Sequence, residues 1–143
     1  MKVDTKHAKR INDELKAVGF TRMNLRRFTS KYLPKVIHKD EKILAAVSGR
    51  RKETEGFFGL VEGMLVATDK RVIFIDHRPG FTDMDEVSYD VVTGVNLSRT
   101  LVSSSVTLFT KIHNYVLSYA RTSCAEAFVE YVEENVLERK SSR

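Results

Sequence analysis

The sequence is short of most things that would announce a chemistry. Its 143 residues hold one cysteine, Cys124, which excludes an internal disulfide framework and leaves no CxxC pair for zinc or redox work. No apolar run approaches the ~20 residues a membrane-spanning helix needs. The basic start MKVDTKHAKRINDELK has no apolar segment behind it, so it does not read as a signal peptide. Neither HExxH, GxSxG, a P-loop nor GxGxxG occurs, and His7, His38, His77 and His113 stand apart with no i/i+4 pairing. These absences predict a soluble, cytoplasmic chain that is not an enzyme, with no cofactor and no metal site.

Acidic residues are scarce at one end only. Residues 1–39 carry 11 Lys/Arg against 3 Asp/Glu, a balance of +8, while residues 40–143 carry 13 against 16, a balance of −3. Such asymmetry suits two parts with different jobs, or one solvated helical face. Hydrophobic content of 42% with 30% charged residues is ordinary for one globular domain plus an appendage.

The basic end is patterned as helix. Ala8, Ile11, Leu15 and Val18 share one stripe, Asp4 or Thr5 suits the N-cap, and Gly19 suits the left-handed residue that ends a helix. Thr21 is the next N-cap candidate, and Leu25, Phe28 and Tyr32 repeat at three and four before Pro34 interrupts. From Lys42 the period changes to that of strands: Ile43–Ser48, Leu60–Thr68, Arg71–His77, Thr82–Ser88, Thr93–Arg99, Ser104–Phe109 and His113–Tyr119. They recur roughly every ten residues with short links, which argues for consecutive antiparallel pairing in a sandwich or barrel. In LVATDKRVIFI, Leu65–Ile75, two runs apolar on both faces flank a charged break. That hairpin requires a second layer over it, and its Asp69–Lys70 tip reads as turn chemistry. Ser123 and Glu126 form a capping-box pattern, followed by a stripe of Ala125, Phe128, Val129, Val132 and Val136 in a closing helix.

Seven antiparallel strands and one amphipathic C-terminal helix are the order of a pleckstrin-homology-like (PH-like) domain. The sequence resembles the bacterial PH domain family, particularly its YokE-like branch. The likeness is carried by DEKILAAVSGR (Asp40–Arg50), GMLVATDKRVIFI (Gly63–Ile75), VSYDVVTGV (Val87–Val95) and AEAFVEYVEENV (Ala125–Val136). It implies an α+β, mainly β fold: a seven-stranded antiparallel barrel or sandwich capped by the C-terminal helix. Residues 1–39 form a basic helical extension, 40–138 the PH-like domain and 139–143 a polar tail. It also implies a binding or scaffold module without catalytic activity.

Two places could hold a ligand. The stretch SGRRKETEGFFG places Arg50, Arg51 and Lys52 together ahead of Phe57 and Phe58, and in phosphoinositide-binding PH domains basic residues around this loop grip phosphates. Arg10, Lys16, Arg22, Arg26, Arg27 and Lys31 lie around the helical stripes and could meet anionic lipid, nucleic acid or an acidic protein. Cys124 sits at a helix N-terminus, where the dipole can lower a thiol pKa, although packing under the helix explains it as well. The leading expectation is protein–protein interaction, including self-association through the N-terminal helices or exposed strand edges. Peripheral binding of anionic membrane or phosphorylated headgroups ranks second. Nonspecific nucleic-acid binding by the basic helices ranks third, because no recognition helix or stacking platform is evident.

Overall fold

The computed structural model describes residues 4–51, 61–78 and 80–141. The chain runs through α1 (Thr5–Ala17), α2 (Arg22–Leu25), α3 (Phe28–Tyr32), β1 (Ile43–Arg51), β2 (Val61–Thr68), β3 (Val72–Arg78), β4 (Phe81–Val87), β5 (Val92–Arg99), β6 (Ser104–Thr110), β7 (Asn114–Ala120) and α4 (Thr122–Ser141). The seven strands make one antiparallel sheet in the order β4-β3-β2-β1-β7-β6-β5. Every neighbour is a hairpin partner except β1 and β7, which meet at Arg50 and Ser118. Gly49 permits that meeting, since a Cβ there would stand 2.6 Å from the Ser118 carbonyl oxygen.

The β2–β3 hairpin is buried on both faces, with Met64–Ala67 and Val72–Ile75 at most 3% exposed. Its covering comes from two sources. Helix α4 packs on β1, β2, β5 and β6, and α3 packs on β2 and β3. The apolar stripe of α1 joins the same core: Ile11 and Leu15 are fully buried and Phe20 nearly so, together with Leu33 and Ile37. Burying side chains of this size is worth roughly 1.5–3 kcal/mol each, so the basic extension is an integral wall of the fold.

Local chemistry explains most boundaries. The Asp4 carboxylate accepts from the Lys6 N–H at the start of α1. At its end Gly19 turns to φ 106°, while the Phe20 N–H bonds to the Leu15 carbonyl and Gly19 N–H to Lys16, satisfying carbonyls the helix leaves open. Thr21 and Asn24 cap each other reciprocally ahead of α2. Two expectations fail here. The stripe Leu25–Phe28–Tyr32 is not continuous, because Arg27 leaves helical dihedrals at ψ 152°, and Phe28 is turned out to 61% exposure. Ser123 is not the cap of α4: the Ala125 N–H bonds to the Arg121 carbonyl, placing Ser123 inside the first turn.

The charged tip of the central hairpin does more than turn. Glu41, fully buried, accepts from Arg71 Nε at 2.8 Å and Nη2 at 2.9 Å, from Thr68 Oγ1 at 2.7 Å and from the His38 N–H. Burial alone would raise this carboxyl, but the bonds from Arg71, Thr68 and the His38 N–H outweigh it and hold the pKa at about 2. Around this pair, Asp69 Oδ1 accepts from the Lys42 N–H and Arg71 Nη2 donates to the Val36 carbonyl. Glu14 of α1 accepts from the Ile43 N–H at 2.7 Å. Residues 36–43 are thereby clamped between the hairpin tip and α1.

Candidate ligand-binding cleft

Arg50 and Arg51 lie in β1, which runs past the expected end at Ser48, so they are strand residues and not loop residues. The Arg51 side chain and Lys52, Phe57 and Phe58 lie outside the described residues. Arg50 is exposed and makes no ion pair among the described residues. Its fixed position comes from its strand neighbours, Glu62 on β2 and Ser118 on β7.

The helical candidates separate. Arg10 is drawn inward: Nη1 donates to Glu14 at 2.6 Å and to the Glu41 carbonyl at 2.8 Å, and Nη2 to the His38 carbonyl at 3.0 Å. It fastens the fold and is removed from any basic face. Lys16, Arg22, Arg26 and Lys31 are exposed. Arg27 alone comes beside Arg50, because the break before α3 redirects the chain there.

Arg27 and Arg50 converge with Arg121 on a cleft of about 220 Å³. No Asp or Glu is among its described lining residues; Ser48, Ser103 and Asn24 supply neutral polar groups. Arg27 reaches Glu62 outside the cleft at a long 3.4 Å, and Arg121 donates to the Gly19 carbonyl at 3.3 Å. Each guanidinium has five N–H donors, so both retain capacity for a ligand. Cys124 closes the floor. It is 3% exposed, and burial pushes its thiol up, against the weaker pull of Arg121. The activating effect expected of the helix N-terminus therefore loses to desolvation.

Arg27 and Arg50 also line a second, broader groove of about 710 Å³, together with Glu62. Its walls include exposed Phe81 and a stacked Phe28–His77 pair with ring centroids 4.3 Å apart. The His77 ring bonds to Thr82 Oγ1. The other histidines are scattered: His7 meets the Ile37 carbonyl, and His113 lies 3.6 Å from Asp85. Among the described residues no three His, Cys, Asp or Glu side chains come together as a metal site.

Arg121 escaped the sequence reading. It occupies the N-cap position of α4, where a side-chain acceptor is usual, and that mismatch was the available signal. The Glu41–Arg71 pair also escaped, because thirty residues separate two charges that each look solvated.

A family model described as Bacterial PH domain matches residues 37–134. No curated protein sequence matches the chain. Among solved structures, a DUF1696 family protein with a pleckstrin-homology domain from Shewanella loihica PV-4 is 16% identical; the alignment covers 76% of this chain and 90% of that one, with a TM-score of 0.42. The N-terminal PH domain of Vps36 is 21% identical, with 76% and 87% covered and a TM-score of 0.47. The hSac2 domain of the human phosphoinositide phosphatase Sac2 is 12% identical, with 87% and 85% covered and a TM-score of 0.48.

Proposed function

The chain belongs to the bacterial PH domain family, and we propose that it is a non-enzymatic binding module that docks peripherally on a phosphate-bearing headgroup of an anionic membrane, from the cytoplasmic side. The observation that carries this reading is the convergence of Arg27, Arg50 and Arg121 on one cleft without a carboxylate among its described lining residues. Arg27 is partly compensated by Glu62, but Arg50 and Arg121 make no ion pair among the described residues, so a phosphate in the cleft meets unbalanced positive charge. The planar guanidinium forks match its oxygens bidentately. At about 220 Å³ the cleft is smaller than the roughly 300 Å³ at which drug-sized pockets begin, which suits a compact charged group. Arg22, Arg26 and Lys31 add long-range attraction to an anionic surface.

Of the leading expectation, protein–protein interaction including self-association through the N-terminal helices or exposed strand edges, the helical route loses the α1 stripe, because Ile11 and Leu15 are buried within the chain itself. The basic helical face offered to nucleic acid loses Arg10 to internal acceptors and keeps Lys16, Arg22, Arg26 and Lys31 exposed. We assign residues 40–138 to the PH unit, residues 1–39 to an extension that completes its core and residues 139–143 to a tail. Within the family we propose the YokE-like branch, on the likeness of the Gly63–Ile75 hairpin.

The test is calorimetric titration with inositol trisphosphate, alongside co-sedimentation with phosphatidylcholine vesicles with and without phosphatidylglycerol. The expected result is binding that falls steeply with salt and disappears in Arg50→Glu/Arg121→Glu. Equal binding by that variant, or no binding of either probe by the natural chain, would overturn the reading.

A further inference from the structure

The tip of the β5–β6 hairpin breaks the usual chemistry of turns. Gly, Pro, Asn, Asp and Ser dominate such positions, yet here Leu101 and Val102 stand at 105% and 91% exposure. The turn that presents them is well tied. The Thr100 N–H donates to the Ser103 carbonyl at 2.8 Å, and Thr100 Oγ1 accepts from the N–H groups of Ser103 and Val102. Two aliphatic side chains are thus held out into water by a closed turn.

A second oddity lies beside the first. Tyr119 adopts φ 56° and is 75% exposed, a conformation uncommon outside glycine and one that costs energy. Val102 and Tyr119 both line the cleft that Arg27, Arg50 and Arg121 surround. Exposed apolar groups rimming a cationic cleft match one kind of partner, a bilayer whose anionic headgroups lie directly above hydrocarbon. An acidic protein surface would satisfy the arginines but would need an apolar patch at this one spot to cover Leu101 and Val102, whereas a bilayer offers hydrocarbon beneath every anionic headgroup.

We propose that Leu101, Val102 and Tyr119 form a membrane-insertion tip, seated in the headgroup–acyl boundary while the arginine cleft holds a lipid phosphate. The inference rests on the headgroup reading above and deepens it by fixing which end of the molecule enters the membrane. Charge draws the protein to the surface, and the tip supplies apolar burial that salt does not screen. Transfer of each aliphatic side chain is worth on the order of tenfold in partitioning even when only part of it is buried.

The chain contains no tryptophan, so Leu101→Trp makes a single indole reporter at the tip. With phosphatidylcholine/phosphatidylglycerol vesicles its emission should shift to the blue and be quenched by brominated acyl chains. Leu101→Ser, at a residue outside the cleft lining, should keep the natural chain's affinity for inositol trisphosphate and lose vesicle partitioning on the order of tenfold. Vesicle binding without a blue shift, or with undiminished partitioning of the serine variant, would overturn the insertion tip and leave the headgroup reading standing. Absence of both inositol trisphosphate and vesicle binding would overturn the two together.

Discussion

Replacing Glu41 by Gln removes one charge from the clamp that ties residues 36–43 to the central hairpin. In the folded chain this carboxyl titrates at about 2 against an ordinary 4.5. The gap, roughly 2.5 at about 1.4 kcal/mol for each pKa unit, corresponds to about 3 kcal/mol. Because the folded value is depressed, that stabilisation is fully present above pH 4.5 and is lost as the pH falls through the folded value of about 2. Glu41→Gln should therefore be about 3 kcal/mol less stable than the natural chain at neutral pH. The difference should close as acid protonates the natural carboxyl. Urea unfolding followed by far-UV circular dichroism, stepped from neutral pH down to about pH 2, reads this directly. Other carboxylates titrate too, but they are common to both chains and cancel in the difference. A gap that stays constant across the acid range would refute the argument, since it would assign the damage to packing of the amide and not to the lost charge.

Three further outcomes follow from the same packing. Gly49→Ala forces a Cβ to 2.6 Å from the Ser118 carbonyl and 3.2 Å from Leu117 Cβ, so the β1–β7 junction must shift, at a cost of about 1–3 kcal/mol in urea unfolding; an unchanged midpoint would show that the junction has slack. Deleting residues 1–29 removes Ile11, Leu15 and Phe20 from the core, and circular dichroism and light scattering should find an unfolded or aggregated product; a folded, monomeric truncation would contradict the docking of α1. Cys124, buried and with its thiol pushed up, should resist alkylation by iodoacetamide at neutral pH and react rapidly in urea; fast labelling of the native chain would mean that the cleft floor opens.

What the sequence by itself determined is what short-range periodicity encodes. The doubly apolar β2–β3 hairpin, the stripe of α1, Gly19 at φ 106° and the Thr21 cap all read correctly, because burial of a run and backbone satisfaction at an end are local demands. The tertiary structure decided what depends on separated segments meeting. Arg27, Arg50 and Arg121 come from the break before α3, the end of β1 and the start of α4, and nothing in the spacing of those positions records that they share a cleft. The Glu41–Arg71 clamp is of the same kind: either residue alone looks like a solvated charge, and only the partner makes burial affordable. The reversal at Arg27 that turns Phe28 outward and aims its own guanidinium at Arg50 falls within one short stretch, yet the helical spacing of Leu25, Phe28 and Tyr32 favours the opposite outcome. In the bent chain Ser30 donates to the Asn24 carbonyl at 2.7 Å, a contact that the helical spacing does not record.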